Sequence, residues 1–143
     1  ASQMRGNLDE AVLLYKKSIE MLPTAEAYTF LGWTYRFQGK IQAAIEECKH
    51  AIMIDPTLGN PYNDIGAYLI DLGRPKEAVS WLERALRAAR YEAYHYAWFN
   101  LGRAMLLTDQ YSEAQRCFER ALEIEPNYAI AAEALGNLKR LLQ

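Results

Sequence analysis

A chain of 143 residues, 51% apolar and 24% charged, can bury one ordinary core, and its formal charge of −2 supplies no global field to draw nucleic acid or an anionic membrane. No run approaches the ~18 apolar residues that span a bilayer, and the opening residues lack the basic-then-apolar order of a signal peptide. The two cysteines, Cys48 and Cys117, fall at inward positions of different helices and read as buried thiols, not a bridge. Such thiols suit a reducing compartment, which favours the cytoplasm and leaves the periplasm open if an export signal lies outside these residues.

Residues 1–24 read as an incomplete unit: a turn at Gly6, then Ala11, Tyr15 and Ser18 on a helix from about Leu8 to Leu22, stopped at Pro23. Ala1 to Arg5 would be the remnant of a preceding helix. Residues 25–58 form the first full unit. There Tyr28, Leu31, Gly32 and Tyr35 share one helical face by their spacing. Gly39 permits the turn, and Ala44, Cys48 and Ala51 form the facing stripe of a second helix that ends before Pro56. Residues 59–94 repeat the pattern with Tyr62, Ile65, Gly66, Leu69, Gly73, Ala78, Leu82 and Ala85. Residues 95–128 do so with Trp98, Leu101, Gly102, Met105, Ala114, Phe118, Ala121 and Pro126; Asp109 and Gln110 replace the turn glycine, which predicts a less relaxed turn. Residues 129–143, with Ala132, Leu135, Gly136 and Lys139, read as a solitary terminal helix.

Gly32, Gly66 and Gly102 thus recur at gaps of 34 and 36 residues, each inside the same pattern of small and bulky positions. A period of this length with this signature resembles the tetratricopeptide repeat. The resemblance implies an all-α, right-handed superhelical solenoid of antiparallel helix pairs. It also implies a scaffold that binds a protein or peptide in its concave groove, with no chemistry of its own. Two other readings stay open: a targeting or regulatory segment of a larger enzyme, or a factor of pilus or secretion assembly. The second arises because the lengthened connection before residue 95 and the helix start Tyr62-Asn63-Asp64-Ile65-Gly66 also resemble, more loosely, the pilotin lipoproteins that help assemble type IV pili.

Residues that could carry chemistry are few. There is no glycine-rich phosphate loop, no His-Glu-x-x-His, no paired Cys-x-x-Cys and no Gly-x-Ser-x-Gly elbow. Glu46, Glu47, Cys48 and His50 diverge around their helix, with Cys48 inward, leaving too few convergent donors for a metal. Neither an enzyme nor a cofactor is expected. Arg84, Arg87 and Arg90, followed by Tyr91, Tyr94 and His95, could meet phosphates and bases, but Glu77, Glu83 and Glu92 interleave with them and favour a solvated helix face.

The resemblance also places the binding surface. In the first full unit it falls on Thr29, Trp33 and Arg36, with Phe37 beside them, and in the second on Asn63 and Asp64, with Asp71 further along. In the third it falls on Tyr96, Asn100 and Arg103, and on the terminal helix it reaches Asn137. Trp33 or Tyr96 would grip an apolar side chain while amides bond the backbone of an extended peptide. Packing against neighbouring helices stays open for Trp33 and Phe37, as does an internal hydrogen bond for Asn63, Asp64 and Asn100. Chaperone-tail binders of the family hold an acidic peptide with lysines, asparagines and an arginine. Here the matching places carry Thr29, Trp33, Asp64, Tyr96 and Asn100, and Asp64 would repel that tail. Tyr91 and Tyr94 exceed what the repeat demands, so at least one is expected to be exposed as a contact. The N-terminal helix, short of a covering neighbour, is expected to pair with another copy of the chain or to fray.

Overall fold

The small and bulky positions of each unit become helix hairpins because every helix has a face that only another helix can cover. The computed structural model describes residues 2–143, with side chains from residue 4 onward, and Ala1 lies outside the described residues. The helices are α1 (Ser2–Met21), α2 (Ala25–Phe37), α3 (Ile41–Ile54), α4 (Asn60–Asp71), α5 (Pro75–Leu86), α6 (Tyr94–Leu107), α7 (Tyr111–Ile124) and α8 (Ala129–Leu141). The described residues therefore carry eight helices: one before residue 25, two in each full unit and the terminal one. Gly6 makes no turn: α1 runs through it, because one exposed glycine costs a helix only about 1 kcal/mol relative to alanine. Residues 2–5 of the expected remnant and the N-terminal helix are a single element.

Local chemistry sets the ends of several helices. Thr24 caps α2, its hydroxyl oxygen accepting from the Ala27 amide at 3.1 Å, and Pro61 and Pro75 occupy the first turns of α4 and α5. The hairpin turns at Gly39 and Gly73 have φ of 80° and 76°. Asp109 adopts 62° in the third turn, the strained conformation expected where a glycine is missing.

Within each hairpin one glycine sits where no side chain fits. A Cβ on Gly32 would lie 2.9 Å from the Ala44 carbonyl oxygen, and one on Gly102 would lie 2.5 Å from the Phe118 ring. The facing residues Ala44, Cys48, Leu82 and Phe118 are completely buried, and Cys48 and Cys117 are separate free thiols. Hairpins α2–α3, α4–α5 and α6–α7 stack in a solenoid. Their first helices touch, α2 against α4 and α4 against α6, whereas successive second helices keep no comparable contact. A stack pinched along its first helices curves around them, so α2, α4 and α6 form the inner wall.

Candidate functional site

The inner wall begins on α2. One turn apart, Trp33 and Phe37 form an edge-to-face pair with ring centroids 4.4 Å apart, and both stay about half exposed, at 51% and 49%. Between them in sequence, Arg36 reaches across to α4, where its Nε donates to Asp71 at 3.4 Å. Arg103 on α6 approaches the other carboxylate oxygen of Asp71 at 3.7 Å. One carboxylate from the middle helix therefore lies between guanidinium groups from both flanking helices.

Polar residues continue the link deeper in the wall. Asn100 donates to the Asn63 side-chain oxygen at 3.0 Å and accepts from Arg103 at 3.1 Å. Asn63 and Asn100 are buried and bond to each other, the alternative to offering their amides to a peptide. Buried amides need partners, and here they satisfy each other across the α4–α6 boundary. Thr29 is likewise occupied, its hydroxyl donating to the Ala25 carbonyl at 2.7 Å.

Asp64 keeps part of its surface on the wall, yet burial pushes its carboxyl up to about 7 while Asn63 and Arg36 pull it the other way. Burial also raises the Tyr68 and Tyr91 phenols well above their usual range, and the Asp64 carboxylate adds to both shifts. Among the described residues neither phenol oxygen has a hydrogen-bond partner.

At the far end Tyr96 is 46% exposed and belongs to an aromatic cluster with His95, Phe99 and Tyr128. Tyr128, from the connection before α8, sits 5.6 Å from Tyr96 and 5.4 Å from Phe99 between ring centroids. It was absent from the sequence-derived site, because its position precedes the terminal helix and carries no repeat-imposed role. Asn137 on α8 accepts from Arg140 of its own helix.

The aromatic junction is largely internal. Tyr91 is 8% exposed and covers Gly59, while Tyr94 is half-buried and donates its hydroxyl to the Ala88 carbonyl at 2.6 Å. Tyr91 is therefore internal, Tyr94 keeps part of its surface, and Tyr96 is the most exposed ring of that stretch. The basic stripe is also engaged: Arg84 lies over Tyr62 and Trp81, and Arg90 pairs with Glu26 and Asp55. Among the described residues no group of three His, Cys, Asp or Glu gathers as metal ligands, and no helix is long and apolar enough to cross a membrane.

Comparison with known proteins gives consistent matches. Tetratricopeptide repeat profiles match residues 25–58 and 57–127. The type IV pilus assembly protein PilF of Pseudomonas aeruginosa is 26% identical over 135 residues, covering 94% of this chain. The chain spans only 54% of that protein's length, and less of the other curated relatives it matches. A solved structure of the same P. aeruginosa protein superposes with a TM-score of 0.86 at 26% identity, over 95% of this chain and 62% of that one. The first such domain of Spaghetti (RPAP3), solved with an HSP90 peptide, superposes with a TM-score of 0.77 at 26% identity, over 83% and 93% of the two chains.

Proposed function

The chain belongs to the tetratricopeptide repeat family, and from that premise we propose that it holds an extended segment of a partner protein against the wall of α2, α4 and α6. One observation carries the reading: Trp33, Phe37 and Tyr96 leave about half their surface in water on a wall whose polar residues are otherwise paired with one another. Exposed aromatic rings beside a satisfied polar floor are what an anchor site presents before its ligand arrives. Arg36, Asp71 and Arg103 add a partly exposed charged centre with one carboxylate for two guanidinium groups, which favours a segment carrying an acidic side chain between its apolar anchors. The mechanism is recognition by a preformed surface, which limits the ordering cost of binding to the ligand.

A second reading has its own support. The likeness to a pilus assembly protein extends along nearly the whole chain, so a role in assembling a multi-subunit fibre, with the wall gripping one of its components, fits the same surface.

Chemical-shift mapping tests the site. Peptides selected from a random display library against the full chain should shift Trp33, Phe37, Arg103 and Tyr96 together. Shifts confined to the outer helices α3, α5 and α7 would place the partner elsewhere.

A further inference from the structure

We propose that the connection between α5 and α6 is a clasp that fixes the curvature of the inner wall, with Arg90 as its positioning residue. Arg90 stands where the repeat pattern otherwise places the stop proline, as at Pro56 and Pro126. Unlike proline it has an amide hydrogen, and that amide donates to the Thr57 carbonyl at 2.9 Å while the Arg90 carbonyl accepts from Gly59 at 3.0 Å. The two inter-unit connections are thereby joined like adjacent strands over a single bridge, Leu58 to Arg90. Among the described residues no other pair of inter-unit connections exchanges backbone hydrogen bonds.

The side chain extends the clasp to the first unit. Its guanidinium donates to Asp55 at 2.9 and 3.2 Å and to Glu26 at 3.1 Å, the latter 64 residues away in sequence. Asp55 is held ready for it. The Thr57 amide and hydroxyl both donate to the other Asp55 oxygen, at 2.9 and 2.6 Å. These bonds, and then Arg90, hold the carboxyl below its usual range. Tyr91 follows with its ring over Gly59, where any side chain would overlap it, and packs edge-to-face on Tyr94 with centroids 5.1 Å apart.

The position of these contacts gives them their consequence. Glu26 lies in the first turn of α2, Gly59 immediately precedes α4, and Arg90 lies midway along the connection from Leu86 to Tyr94 at the start of α6. One residue thus ties the starts of α2 and α4 to the connection that leads into α6. Solenoid units otherwise meet only their neighbours, so small rotations at each boundary would accumulate into a different curvature. Solvent-exposed ion pairs contribute little to stability, so the clasp acts on angle rather than on melting. Its effect on a ligand rests on the groove reading, whereas its effect on shape does not.

The experiment measures shape directly. Spin labels at Gln42→Cys on α3 and Ser112→Cys on α7 report the distance across the clasp in the full chain; buried Cys48 and Cys117, with raised thiol pKa values, resist labelling in the folded state. In Arg90→Ala the distance distribution should about double in width at unchanged helicity, because the connection loses its side-chain tie to Asp55 and Glu26. Arg90→Pro, which also loses the amide donor, should broaden it further, and Arg90→Lys should restore it in part. Salt at 1 M, where the Debye length falls to about 3 Å, should broaden the wild-type distribution by screening the ion pairs and leave Arg90→Ala unchanged. Should Arg90→Ala fail to fold, the pair Glu26→Gln and Asp55→Asn carries the same expectation. An unchanged distribution in a folded variant overturns the clasp. If it broadens while Trp33 and Tyr96 prove irrelevant to binding, the clasp stands and the groove reading falls.

Discussion

Asp64 is the charge in the wall whose environment departs furthest from water. A carboxyl with a folded pKa of about 7 and an unfolded value near 3.8 binds its proton more tightly in the folded chain. Its ionised form therefore destabilises the fold above pH 7, and this penalty is relieved as pH falls from about 7 towards 4. The full linkage is about 4 kcal/mol at most, reduced by the water that Asp64 retains. Asp64→Asn should accordingly raise the melting temperature at pH 8 and change it little at pH 4. An equal effect at both values would show that the carboxyl titrates normally. The neighbouring amides separate stability from binding. Asn100→Ala strands the buried Asn63 side chain and should cost about 1–3 kcal/mol in a denaturant titration, whereas Trp33→Ala, at an exposed ring, should stay within about 0.5–1 kcal/mol of wild type. Sequence alone placed both residues on one surface but could not divide them in this way. The partner that buries Asn100 is Asn63, which is remote along the chain and adjacent only once α4 and α6 are stacked.

At the scale of the element, the glycines were the readable part. Gly32, Gly66 and Gly102 mark close approach of paired helices, and the structure puts Ala44, Leu82 and Phe118 against them. Gly136 carries the same motif on α8 but faces open space, with the Arg140 side chain 3.9 Å from a would-be Cβ. The motif therefore makes opposite predictions in the two settings. Gly102→Ala should destabilise by about 1–3 kcal/mol through collision with the buried Phe118 ring, while Gly136→Ala should stabilise by up to about 1 kcal/mol through helix propensity. Asp109→Gly should also stabilise, by about 1 kcal/mol, by relieving the positive φ. Thermal melts of the three variants would check the signs. What sequence could not supply was the α5–α6 connection. Tyr91 looked surplus to the repeat and hence exposed, but its cover is Gly59, a residue with no motif of its own until the two connections lie side by side. The continuous α1 was missed for a related reason, since Gly6 reads as a turn when the repeat is extrapolated upstream.

Across the whole molecule the helices serve to hold one wall in place. Buried alanines, cysteines and glycines let the hairpins pack closely, the stacked first helices bring Arg36, Asp71 and Arg103 together, and the exposed rings of Trp33, Phe37 and Tyr96 are left facing outward from the wall. Their exposure is the feature that packing alone does not account for. Calorimetry with a library-selected peptide on the double variant Trp33→Ala, Tyr96→Ala tests the central claim most directly. Loss of two anchor rings should weaken binding at least about tenfold to a hundredfold, with helicity and melting close to wild type. Undiminished affinity in the folded double variant would contradict the account and move the binding surface away from the inner wall.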